Sequence, residues 1–303
     1  MGTSNKIQMC DWNALHDEIY NLYQSETSKF KCFHYTTPEA VLSIFSDYIS
    51  NGCGNNVISC DMRASHLRFL NDAQEYKDGV EWISKNLKID NNEIYDQIYS
   101  ISFCGYGDLL SQWKWYGKNS GVSIEFDADN IKYEYWNCKV PELPCADEQT
   151  KPLLIRYTDD EKMCYYKHIK ELNEKRRLNR NSEKLIRNLM IPYSKDKGFS
   201  EEKESRLVFY TFNGRDFGID FKIRYYNSNG VIKPTLDVKF SAIDSKKNII
   251  KTLIVGPGKN QNLVFNALVH IFDHNSFCFD DSSNEHLCSN GVTILKSAIP
   301  FRG

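Results

Sequence analysis

Runs that read as strands are short in this chain, and they do not alternate regularly with helices. IYSISFCG (98–105) and GVSIEFD (121–127) alternate apolar and polar residues with the period of a strand. RLVFYTF (206–212) is rich in β-formers, TLIVG (252–256) is a short apolar run, and GVTILKSAIPF (291–301) again reads as a strand. DAQEYKDGVEWISKNL (72–87) and NLVFNALVHIFDH (262–274) instead carry apolar residues at helical spacing, as do Trp12, Leu15, Ile19, Leu22 and Tyr23. A doubly wound sheet requires strict strand–helix alternation, so the pattern predicts an α+β fold. No internal repeat is visible, and 303 residues suffice to bury a sizeable core.

Charge and composition narrow the function classes. A formal net charge of −2 argues against a protein built mainly to coat nucleic acid. No apolar run approaches the roughly 20 residues of a membrane span. MGTSNKIQMCDW has no apolar signal core, and Lys6 stands where a myristoylation motif needs Ser or Thr. A cytoplasmic protein with no membrane partner is the expectation. The ten cysteines form no C-x-x-C pair and are expected as reduced, buried thiols. His270 and His274 share a helical face, with Cys278, His286 and Cys288 following; the residue types suit zinc, but the spacing matches no standard finger and no metal is assigned. From Lys162 to Arg187 nine Lys or Arg stand against three Glu, over a broken apolar stripe of Tyr165, Ile169, Leu172, Leu185 and Leu189. That segment reads as a charged helical insert, without the interleaved aromatics that stack on bases. The expected organisation is a single domain, 1–303: an N-terminal helix in 1–30, a core from 31–158 and 193–303, and the insert at 159–192.

GPGK (256–259) follows a strand but lacks the length and the Ser/Thr of a phosphate loop, so it reads as a tight turn. The absence of G-x-S-x-G, H-E-x-x-H and G-x-G-x-x-G removes most hydrolase, metalloprotease and dehydrogenase readings. Four stretches remain. In KCFHYTTPEAVLSIF (31–45), His34 and Tyr35 end a strand, Thr36 or Thr37 supplies the cap oxygen, and Pro38 and Glu39 suit the first helical turn. RFLNDAQEY gathers Arg68, Asn71, Asp72 and Glu75 around a helix start: Asp72 can cap it, and Arg68 can bind a carboxylate or phosphate. LLSQWKWYG compresses Ser111, Gln112, Trp113, Trp115 and Tyr116 before a strand, which suits either core or a planar ligand. FSEEKESRLVFY crowds Glu201, Glu202 and Glu204 ahead of Arg206; if extended, Glu202, Glu204 and Arg206 share one face. Such carboxylates need a cation, a proton or a ligand hydroxyl beside them, and Arg206 is one candidate.

As an ordered set, FHYTTPEAVLSIF, SHLRFLNDAQEY, GDLLSQWKWYGKNSGVSIEFD, GFSEEKESRLVF and LIVGP resemble the blocks of the bacterial "domain of unknown function 2971" family. The resemblance runs from about residue 31 onward, with 128–198 poorly matched. More distantly, the motif order is similar to that of ADP-ribosyltransferases such as poly(ADP-ribose) polymerases and RNA 2′-phosphotransferases. Those carry a His on the first core strand, a Tyr or Ser on a second and a Glu on a later one, and clasp NAD in a split β-sandwich. Matched by order, His34 takes the first place and Glu204 the last, with Glu202-Lys203-Glu204 reproducing the E-x-E spacing of some toxins; Ser111 and Tyr116 both fit the middle place.

This second resemblance implies an ADP-ribosyltransferase-like core with flanking helices. It implies NAD as substrate and a protein or nucleic-acid acceptor, or simple NAD hydrolysis, in a toxin or phage-defence effector with a possible partner or antitoxin protein. Glu204, His34 and Tyr116 would be catalytic. Tyr35, Thr36, Arg68, Asn71, Asp72, Ser111, Gln112, Trp113, Glu202 and Arg206 would bind NAD. In that scheme Glu204 favours the oxocarbenium-like transition state, His34 holds a ribose hydroxyl, Tyr35, Trp113 or Tyr116 stacks on nicotinamide, and Arg68 meets the pyrophosphate. Two readings of other classes stand beside it: a non-enzymatic nucleotide- or ligand-sensing module, and a metal-dependent nuclease using Glu202, Glu204 and Asp72.

Overall fold

The computed structural model describes residues 18–19, 21–23, 30–51, 58–70, 73–89, 97–116, 120–138, 151–176, 182–211, 219–228, 230–273 and 282–300. These form a mixed α+β fold. One sheet runs β1 (Cys32–Thr36), β4 (Val122–Phe126), β12 (Ile250–Val255), β14 (Thr293–Lys296), β13 (Glu285–Leu287). The other runs β10 (Ile223–Ser228), β11 (Val231–Ala242), β2 (Cys60–His66), β3 (Ile98–Phe103), β8 (Ser205–Tyr210), β7 (Leu153–Leu154), with β5 (Ile131–Glu134) also on β11. β6 (Trp136–Cys138) and β9 (Ile219–Phe221) make a separate pair.

The inner faces of the two sheets share one core. Phe126 of β4 meets Phe103 of β3 and Phe240 of β11 edge-on, at 5.8 and 5.6 Å between ring centres. The sheets also join through the backbone. Phe33 donates its N–H to the carbonyl of Cys104 (2.9 Å), and Cys104 donates back to Phe33 (2.7 Å), tying β1 to the end of β3.

Helices cover what the sheets leave open. α1 (Pro38–Ile44) starts as expected, and of the two candidate caps it uses Thr37, whose hydroxyl oxygen accepts from the Ala40 N–H at 3.3 Å. α2 (Ser46–Ser50) follows at once. α3 (Ala73–Leu87), α5 (Asp159–Arg176) and α6 (Ser182–Met190) bury Trp82, Ile83, Tyr165, Ile169 and Leu189 together with Ile98 and Leu153. Within the charged stretch, Asp159–Arg176 and Ser182–Met190 are therefore helical and contribute to a second core. α7 (Gln261–Phe272) buries Phe265, Leu268, Val269 and Phe272 in the first core. Among the described residues, no helix is long and apolar enough to cross a membrane.

The short helix α4 (Leu110–Tyr116) packs on β1 through Trp113, and Gly256 lies directly under that indole. A Cβ at position 256 would sit 2.6 Å from Trp113 Cε3. Gly256→Ala is therefore expected to cost about 1–3 kcal/mol through overpacking, measured as a lower urea midpoint; an unchanged midpoint would contradict this packing.

Candidate functional site

Five charged side chains converge where β8 begins. Arg206 donates from Nε to Glu204 Oε1 and from Nη2 to Glu75 Oε2, both at 2.6 Å, and from Nη1 to the Pro192 carbonyl at 3.0 Å. Lys195 Nζ lies 2.8 Å from Glu75 Oε1, 2.7 Å from Glu202 Oε2 and 2.9 Å from Glu204 Oε2. Gln112 on α4 donates to the second oxygen of Glu202 at 3.0 Å. Three carboxylates thus face two cations, leaving one negative charge in excess.

The carboxylates are not equivalent. Burial alone would raise the Glu204 carboxyl, but Arg206 and Lys195 overcome it and hold it down at about 2. Burial also pushes the Glu202 carboxyl above its usual range, and here Lys195 offsets it only in part. Burial disfavours the Lys195 ammonium, yet Glu204 and Glu75 reverse that and hold it charged. The Glu202 side chain is 16% exposed, against 5% for Glu204. Glu202 is therefore the outward carboxylate and Glu204 the internal one.

These directions set the acid stability. Glu204 has a folded pKa below its unfolded value of about 4.3, so its contribution is full above that pH and is lost as pH falls toward about 2. Glu202, raised on folding, contributes in the opposite sense and loses its share as pH rises through its folded value. The urea midpoint should fall between pH 5 and pH 3, and Glu204→Gln should flatten that decline; an equally steep decline in the variant would contradict the assignment.

Local backbone explains how Glu202 and Glu204 reach one lysine. The sequence suggested a single extended face, but Lys197–Glu202 is a 3-10 turn capped by Asp196, whose Oδ1 accepts from the Gly198 N–H at 2.7 Å. Lys203 then takes a left-handed conformation, φ +47°, before the strand begins at Ser205. That reversal, not strand alternation, aims both carboxylates at Lys195. The turn is pinned to the end of β3: the Glu202 carbonyl accepts from the Gly105 N–H and from the Cys104 thiol, each at 2.9 Å. Tyr157 accepts from the Glu204 N–H at 2.8 Å.

The other expected residues divide into neighbours of this cluster and core. His34 is half-buried, and its Nδ1 lies 3.1 Å from the Ser102 carbonyl, with Ser102 opposite Arg206 in the β3–β8 register. A carbonyl only accepts, so Nδ1 carries the proton and Nε2 is left as an acceptor. Burial pulls the ring below its ordinary pKa and keeps it neutral. Tyr35 and Trp113 are buried rather than set on an open wall. The Tyr35 hydroxyl donates to the Tyr106 carbonyl (2.8 Å) and accepts from the Leu109 N–H (2.9 Å), and its ring meets Trp113 edge-on at 4.7 Å. Trp113 Nε1 donates to Asp108 at 2.6 Å.

Tyr116 is half-buried against that same group, Thr36 is buried, and the Ser111 hydroxyl is buried with no hydrogen-bond partner. Arg68 donates from Nε to the Tyr76 hydroxyl at 3.2 Å and stacks on that ring, one residue past Glu75. Asn71 and Asp72 lie outside the described residues. Lys195 was not anticipated, although three glutamates with a single nearby arginine imply a second cation. Tyr106, exposed in the loop that follows the Cys104–Glu202 contact, was also missed.

Of the residues weighed for zinc, His274 and Cys278 lie outside the described residues, and His286 Nε2 pairs with Asp273 at 2.9 Å. Among the described residues no group of three or more His, Cys, Asp or Glu is placed to hold a metal. Cys32, Cys60, Cys104, Cys164 and Cys288 are free thiols, all buried except Cys164.

Residues 112–207 match the family model described as "Protein of unknown function (DUF2971)". The matched stretch includes the 128–198 region that the sequence blocks left poorly matched, and it contains Gln112, Lys195, Glu202, Glu204 and Arg206. No curated protein and no solved structure matches the chain.

Proposed function

We propose that this protein uses NAD as a substrate, breaking its nicotinamide–ribose bond and passing ADP-ribose to a protein or nucleic-acid acceptor, or to water. One observation carries the reading: the excess negative charge of the buried cluster is presented at its most outward carboxylate, Glu202. When the bond between C1′ and the nicotinamide nitrogen breaks, nicotinamide leaves with the electron pair and positive charge develops on the ribose. The acceptor then bonds to C1′ and gives up its proton. A fixed carboxylate beside that ribose binds the transition state more strongly than the ground state.

Lys195 and Gln112 each hold one oxygen of Glu202, so its remaining lone pairs are free to accept a ribose hydroxyl. Glu204, first expected in this role, has both oxygens committed to Arg206 and Lys195 and serves to fix those cations. His34 Nε2 suits a ribose hydroxyl of the adenosine half, Arg68 the pyrophosphate, and the rings of Tyr106 and Tyr116 the nicotinamide. A toxin or phage-defence role, restrained by a partner or antitoxin, fits such chemistry.

The test uses purified protein, cell lysate and NAD labelled in the adenylate half. Nicotinamide release with label on macromolecules is the expected result, and label recovered as free ADP-ribose would identify hydrolysis. Binding without release would favour a ligand-sensing module.

A further inference from the structure

A polar cavity of about 330 Å³ has Ser205, the residue between Glu204 and Arg206, in its lining. That size falls in the range of ligand pockets, roughly 300–1,000 Å³. Its charges are paired from the inside outward. Glu125 is buried at 8% exposure and pairs with Lys31, which is 65% exposed, at 3.1 Å. Asp127 at 17% pairs with Lys251 at 54%, also at 3.1 Å. Half-buried Lys151 pairs with exposed Asp129. The inner charges are therefore two carboxylates and one ammonium, each held by a more exposed counter-charge, which for the two carboxylates is a lysine on a long stem. The outer partners Lys31, Lys251 and Asp129 are exposed, and they are the groups a ligand would displace.

We propose that this cavity binds a free basic α-amino acid of the lysine, ornithine or arginine class. Its two cationic groups replace Lys31 and Lys251 at Glu125 and Asp127, and its carboxylate replaces Asp129 at Lys151. One molecule satisfies all three inner charges at once, and the displaced side chains return to water with their rotamer freedom restored. Leu154 lines the cavity beside the aliphatic stem of such a ligand. Because Ser205 lies between two members of the charge cluster, occupancy beside it also braces the strand that carries Arg206.

Calorimetric titration at low salt, with L-lysine and L-arginine against L-norleucine and L-glutamate, tests the assignment. The basic amino acids should bind, and norleucine and glutamate should bind at least about tenfold more weakly. Nα-acetyl-lysine amide, which lacks the α-charges, should be similarly weak; equal affinity would replace the free amino acid by a lysine within a peptide. Glu125→Gln should weaken lysine binding about tenfold. Lys31→Gln changes only an exposed chain, so it should fold, and it should bind lysine more tightly because the resident competitor is gone. No heat with either basic amino acid, equal affinity for norleucine, or weaker binding by Lys31→Gln would overturn the proposal.

Discussion

Arg206→Met is expected to lower the unfolding free energy by about 3–5 kcal/mol, the range for breaking a buried ion pair from one side. The guanidinium is almost wholly enclosed, and it donates to Glu204, Glu75 and the Pro192 carbonyl. Methionine fills similar space, so the loss comes from stranded acceptors rather than from a cavity. Lys195 would then be the single cation facing three carboxylates. A domain stable by about 5–15 kcal/mol loses a large fraction of its margin in this way. Urea unfolding followed by circular dichroism reads the effect. The double variant Arg206→Met, Glu204→Gln should recover part of it, because the stranded charge is then gone. A loss of less than about 1 kcal/mol, in the range of exposed pairs, would contradict a buried network at this position.

Glu202→Gln should cut nicotinamide release about 100- to 1,000-fold, the scale for deleting one preorganised electrostatic contact. It should do so without unfolding the protein. Glutamine can still accept from Gln112, Lys195 keeps Glu75 and Glu204, and the surplus negative charge disappears. Burial already works against the Glu202 charge, so removing that charge is not expected to destabilise the fold. Glu204→Gln reverses the pattern. That carboxylate is held ionised by Arg206 and Lys195 against the penalty of burial, so its neutralisation lowers stability. The pair separates a chemical role from a structural one, with equilibrium unfolding and turnover measured on the same preparations.

The legible parts of the fold were those whose signal is local. The start of α1 was written in Thr37, Pro38 and Glu39, and β3, β4, β8 and β12 showed their period or their β-branched residues. β10 and β11 were missed. Polar and charged residues interrupt them, and Pro234 argues against a strand until its pairing opposite Tyr225 is known. The site was half legible for the same reason. Glu202, Glu204 and Arg206 stand within five residues, so their crowding is visible in one line of sequence. Glu75 and Lys195 come from distant segments, and no pattern along the chain says that they meet. The roles of Glu202 and Glu204 turn on the left-handed backbone at Lys203, a conformation with no reliable signal at a lysine. Tyr35 and Trp113 have the composition of a ligand wall, but tertiary packing uses them as core.

The most direct test of the account is the rate of nicotinamide release from NAD by the wild-type protein beside Glu202→Gln, with lysate present and folding matched by circular dichroism. Release by the wild type and its near-complete loss in the variant are the expected results. No release by the wild type, together with no NAD binding by calorimetry, would contradict the account and leave the Glu75–Lys195–Glu202–Glu204–Arg206 cluster as structure alone.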